Sequence, residues 1–97
     1  MRRKGWTFLT NHGRVLTYIA KHPRSTAQDT AQRSGLSIRA VQQIITDLEK
    51  GGYIERHKDG RRNYYTIHPE IPMRHRLERD HAVGDILKAL GYKQNHQ

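Results

Sequence analysis

Arg39, Gln42, Gln43 and Thr46 fall on one face of a helical repeat, and each can donate or accept hydrogen bonds at the edge of a nucleic-acid base. Arg61, Arg62 and Asn63 stand together just after a glycine, where fixed cations would meet phosphate oxygens. Ser37 ahead of the first group, and Thr26 and Gln28 further upstream, add hydroxyl and amide groups of the same kind. This is the chemistry of binding rather than of bond making. The stretch 38–50 sets Arg39 and Lys50 against Asp47 and Glu49, so it is close to neutral. The chain of 97 residues nonetheless carries a net charge of +9, from 18 Lys and Arg against 9 acids. Residues 1–9 contribute +3 through Arg2, Arg3 and Lys4, residues 10–36 +3, residues 37–67 +2 and residues 68–97 +1. A neutral reading face with cations around it is what sequence readout on a polyanion requires.

Other chemistries fare worse. The absence of cysteine excludes disulfide scaffolding, thiolate zinc sites and thiol redox sensing. His75-x-x-Glu78-x-x-His81 offers nitrogen and oxygen ligands, but each step of three drifts by about 60° around a helix, so neither a metal nor a cofactor is expected. No carboxylate cluster stands ready to hold magnesium for phosphodiester chemistry, and the chain is read as a non-enzyme. Trp6, Tyr53, Tyr64 and Tyr65 could stack on unpaired bases, which keeps RNA or single-stranded nucleic acid as an alternative ligand. A domain that binds only protein is the other alternative. No apolar run approaches the ~20 residues of a membrane span, and the charged start has no apolar signal core behind it. The expectation is a cytoplasmic protein without membrane contact.

The elements that must hold these groups follow from periodicity and punctuation. Val15, Leu16 and Ile19 give the apolar face of a first helix, from Thr10 or Asn11 to Lys21, ended by His22-Pro23. Thr26-x-x-Asp29 has the form of a capping box and opens a short helix through about Arg33, with Ala27, Thr30 and Ala31 inward. Gly35, four residues after Ala31, suits a left-handed stop, and Ser37 can cap a third helix over Ile38–Lys50 whose core side is Val41, Ile44, Ile45 and Leu48. Two strands are expected around Tyr53–His57 and Asn63–Ile67, joined by a turn containing Asp59-Gly60, with Tyr65 and Ile67 facing the core. The fold class is therefore mainly α with a small β-hairpin wing, a winged helix-turn-helix in the order α-α-α-β-β-α. Residues 1–67 form its DNA-binding region, and 68–97 the connector and C-terminal helix of the same domain.

That last helix is expected to begin between Arg74 and Glu78 and to reach Leu90, after the Pro-containing connector His68–Pro72. Val83, Ile86, Leu87 and Leu90 make an apolar stripe, and a chain this small buries only roughly 60 to 70% of its unfolded surface alone. A homodimer is expected through this stripe, with Gly84 permitting close approach and Trp6 and Phe8 joining the contact.

Leu9-Thr-Asn-His12, Ala31-x-x-x-Gly35-Leu-Ser37, Leu48-Glu-Lys-Gly-Gly-Tyr-Ile54 and Asp59-Gly-Arg-Arg-Asn-Tyr64 together resemble small prokaryotic winged-helix transcription regulators of the MarR/ArsR type, over about residues 9–90. The resemblance implies double-stranded DNA as partner. It places the helix matching Ser37–Lys50 in the major groove, with Ser37, Arg39, Gln42 and Gln43 toward bases and Thr46 toward backbone. Arg61 and Arg62 then match wing residues that reach the neighbouring minor groove or its phosphates. The expected role is transcription regulation, with repression as its sign. The cysteine motif of ArsR-type metal sensors is missing here, and 97 residues leave no room for the long helices that build MarR ligand pockets. The effector therefore stays unassigned, and a constitutive binder controlled by its abundance or by a partner fits the chain.

Overall fold

The computed structural model describes residues 5–93, so the expected cations Arg2, Arg3 and Lys4 and the end of the polar tail lie outside the described residues. Helix α1, Asn11–Lys21, starts where the Thr10 hydroxyl accepts from the Gly13 N–H, and it turns Val15, Leu16, Ile19 and Ala20 inward. Helix α2, Ala27–Ser34, opens with a complete capping box: Thr26 Oγ1 accepts from the Asp29 N–H at 3.0 Å, and the Asp29 carboxylate accepts from the Thr26 N–H at 3.4 Å. Gly35, at φ 75°, closes it, its N–H and that of Leu36 both donating to the Ala31 carbonyl. Helix α3, Ile38–Lys50, is capped by Ser37 and buries Val41, Ile44, Ile45 and Leu48 against α1 and α2.

Strands β1, Ile54–Asp59, and β2, Arg62–Ile67, pair antiparallel from Ile54 with Ile67 to Asp59 with Arg62. The hairpin is longer than periodicity suggests; its turn, closed by the pairing of Asp59 with Arg62, contains Asp59-Gly60 and has Gly60 and Arg61 as its two central residues. Gly60 has φ 68° and Arg61 does not share the positive sign, the pattern of a turn that needs glycine first. Tyr65 is buried and Ile67 packs against the core, while Tyr53 and Ile54, whose alternation does not decide between them, are both buried. Tyr53 precedes the strand and packs on Gly51. Its hydroxyl donates to the Pro72 carbonyl at 2.7 Å, which anchors the connector.

The region after the hairpin departs from expectation. Residues 74–82 form turns rather than helix, and helix α4 spans only Val83–Ala89. Leu77, the sole apolar side chain between Arg74 and His81, is 82% exposed, so helix formation there would bury nothing to offset its entropy. The loop is instead closed at its base by a bridge between Pro72 and Ala82, where the Met73 N–H donates to His81 and the Val83 N–H to Ile71.

The apolar stripe also divides. Val83 is buried and Leu87 is 1% exposed, both within the core that holds Val15 and Ile19. These two residues are thus core elements of their own chain and are unavailable to a second subunit; Ile86 is half-buried and Leu90 exposed. Gly84 does permit a close approach, but to Pro69 of the same chain. A Cβ there would lie 2.7 Å from the Pro69 Cβ, and the Gly84 N–H donates to the Pro69 carbonyl.

Candidate nucleic-acid interface

Between the start of α2, the flank of α3 and the hairpin lies an open crevice of about 180 Å3. It gathers Thr26, Gln42, Arg61, Arg62 and Asn63 from three separate stretches of chain. Ser25 and Arg56 line it too, and neither follows from the pattern of base-type residues alone. Strand parity could have found Arg56: it pairs with Tyr65 and alternates with Ile54, so it shares the inner face of the hairpin. Its guanidinium is held by Glu49 at 2.8 Å. Arg61 and Arg62 are exposed and form no ion pair among the described residues, so their charges are uncommitted. Asn63 Oδ1 is buried beside them with no hydrogen-bond partner among the described residues, an acceptor in need of a donor.

The remaining base-type residues lie outside the crevice. Ser37 and Arg39 are exposed at the start of α3, and the Ser37 hydroxyl already accepts from the Ala40 N–H at 3.0 Å, leaving its O–H to donate. Gln28 is exposed on α2, and Thr46 is half-buried. Gln43 is exposed but tethered, its amide nitrogen donating to Asp47 Oδ1 at 3.0 Å. On the other carboxylate oxygen, 2.8 Å away, sits His12 Nε2. The His12 hydrogen bond, then that of Gln43, holds the Asp47 carboxyl below its ordinary range.

The wing is fastened to the body at two points. The Tyr65 N–H donates to the Pro23 carbonyl, which adds the segment after α1 as a third strand-like contact. Arg24 reaches Asp59 at 3.2 Å while its guanidinium lies 4.6 Å over the Tyr64 ring. Tyr64 also stacks on His57, and Tyr53 and Tyr65 are buried with their hydroxyls pushed up in pKa by desolvation.

Residues 9–55 match the family described as winged helix-turn-helix DNA-binding. The chain has the winged helix-turn-helix fold. The matched stretch takes in α1, α2 and α3 and stops before the wing residues Arg61, Arg62 and Asn63. A solved structure described as the predicted DNA-binding transcriptional regulator from E. coli is similar in fold to this winged domain, with a TM-score of 0.57 and 22% identity over 80% of this chain and 70% of that one. Comparison with curated proteins gives no match. In the winged domain, the charged histidine stretch of the 74–82 loop is engaged locally: His75 Nδ1 accepts from the Leu77 N–H, and His81 pairs with Asp85 at 3.0 Å. Among the described residues no helix is long and apolar enough to cross a membrane.

Proposed function

We propose that this chain is a sequence-specific binder of duplex DNA that regulates transcription, a small regulator of the MarR/ArsR type whose occupancy of its site represses. The observation that carries the reading is the convergence of Gln42 with Arg61, Arg62 and Asn63 on one crevice. A base-type amide thereby stands beside uncommitted cations, with Arg39 and Gln43 continuing the exposed face of α3. In this reading α3 lies in the major groove and the wing meets the adjacent phosphates or minor groove, with Ser37, Thr26 and Gln28 as further polar contacts. Three of the four aromatic groups that could serve a single-strand reader are engaged elsewhere, and Trp6 alone of the four stays exposed. Tyr53 and Tyr65 belong to the core, and Tyr64 is sandwiched between Arg24 and His57.

A homodimer belongs to the same proposal, on altered ground. The apolar groups left outside the core among the described residues include Trp6, 71% exposed, Phe8, 92% exposed, and Leu90, 39% exposed, with Ile86 half-buried nearby on α4. Trp6 and Phe8 pack edge to face at 5.2 Å. Selection of sites from random duplexes tests both parts. An inverted repeat with half-sites about 10 bp apart, or a multiple of that, is expected from a two-fold dimer. Recovery of no common sequence overturns the regulator reading, and a single undivided site overturns the dimer. Sedimentation of Ile86→Asp with Leu90→Asp should show a monomer, and a variant that stays dimeric moves the interface away from α4.

A further inference from the structure

We propose that Asp47 and His12 are positioning residues that fix the direction of the Gln43 amide, making Gln43 a reader of adenine over guanine in the major groove. The inference rests on α3 being the reading helix. A lone glutamine is ambivalent, because rotation by half a turn exchanges its carbonyl oxygen for its NH2. Here the exchange is blocked by chemistry. An ionised carboxylate only accepts, so the NH2 end of Gln43 must face Asp47 Oδ1, at 3.0 Å. The carboxylate cannot swing away freely, since its other oxygen accepts from His12 Nε2 at 2.8 Å, and His12 is carried by α1, a separate rigid element. Hydrogen bonding from both partners keeps Asp47 ionised.

Gln43 is exposed, so its Oε1, turned away from Asp47, is presented to solvent together with the second N–H. An acceptor beside a donor matches adenine, which offers its N6 amino group and N7. Guanine offers O6 and N7, both acceptors, and a fixed Oε1 would meet one of them without a hydrogen between. Gln42 makes the contrast within the same helix. Its side chain has no hydrogen-bond partner among the described residues and lines the wing crevice, so it can turn to suit either base. The i to i+4 bond from Gln43 to Asp47 would by itself steady the helix only slightly. A merely structural role would therefore leave base preference untouched.

The test measures equilibrium binding of the parent, Gln43→Ala, Asp47→Ala, His12→Ala and His12→Gln to a duplex bearing the selected site and to each of its single-base variants. The parent should prefer adenine over guanine at one position by about tenfold or more. Gln43→Ala and Asp47→Ala should each bring that ratio near one, the second by gaining affinity for guanine. His12→Ala should lower it part of the way, and His12→Gln, which keeps a donor near the place of Nε2, should retain it. Each ratio compares two duplexes with one protein sample, so a smaller folded fraction does not move it. If Gln43→Ala alters no base preference, the reading of α3 fails and the proposal with it. If Gln43→Ala abolishes the preference while Asp47→Ala keeps the parent ratio, α3 remains the reader and the positioning role is overturned. A parent preference for guanine at the Gln43 position overturns it as well.

Discussion

Arg61 and Arg62 on the wing and Lys21 at the end of α1 are all surface cations, yet they are employed differently. The wing arginines are exposed with no ion pair among the described residues, whereas the Lys21 ammonium donates to the Leu90 carbonyl at the end of α4. The buried apolar groups of the two regions do not divide in this way. Ile45 and Tyr65 under the wing crevice and Val83 and Leu87 on α4 all belong to the core. The wing region leaves polar capacity unspent where a ligand can reach it. The α4 region consumes its apolar and polar capacity in closing the fold, with Ile86 and Leu90 as the remainder.

Replacing Leu87 by Ala should break that contrast most severely, because the side chain is almost fully enclosed and its removal leaves a cavity costing about 2–5 kcal/mol. Urea unfolding of Leu87→Ala beside Leu90→Ala measures it; near-equal losses would mean that α4 is peripheral after all. Gly84→Ala comes next. The added methyl would press on Pro69 backbone and ring, and overpacking of this kind costs about 1–3 kcal/mol, visible as a lower midpoint in the same unfolding experiment. An unchanged midpoint would show that the connector yields freely.

On the wing side, Arg61→Ala with Arg62→Ala should leave the unfolding midpoint in place and weaken binding to every duplex. Each phosphate that the variant no longer neutralises flattens the log–log salt dependence by about 0.9. A weakening confined to one sequence at unchanged slope would make the wing a base reader instead.

The smallest effect expected is the pH dependence of the Asp47 network. Its folded-state pKa lies below the ordinary value, so the carboxylate contributes stability fully above the unfolded pKa of about 4 and loses it as pH falls through the folded value. Asp47→Asn should therefore be less stable than the parent at pH 7, with the gap closing toward pH 3. Asp47 is solvent-exposed enough that a difference independent of pH would assign the stability to packing.

The three helices and the existence of the hairpin are legible in the residues because local and distant forces agree there. Thr26 with Asp29, Gly35 and Ser37 each fix a terminus by hydrogen bonds made within a few positions, and the apolar spacing of Val41 to Leu48 fits only one core. The last helix is a different case. An apolar stripe at 83, 86, 87 and 90 states that something must be covered, but periodicity does not name the partner, and Pro69 and Val15 are far away in sequence. Charged residues between Arg74 and His81 are compatible with helix by propensity, so only the lack of an apolar face excludes it. In the candidate interface, the residues of α3 and the wing arginines are readable by type, and Arg56 through strand parity. The His12–Asp47–Gln43 chain is not, since it depends on α1 crossing α3 at a given angle.

The bond from the Tyr65 N–H to the Pro23 carbonyl, together with Arg24 over Tyr64, ties the hairpin to the segment that follows α1. A wing on a hinge would adapt to whatever backbone lies beneath it. On the proposed reading, a wing tied in this way would act as a caliper, with a set span between the amides of α3 and the guanidinium groups of Arg61 and Arg62. DNA whose groove width already matches that span would be bound without bending, and stiffer or wider sequences would have to be deformed first. Selectivity would then extend to base pairs that no side chain touches.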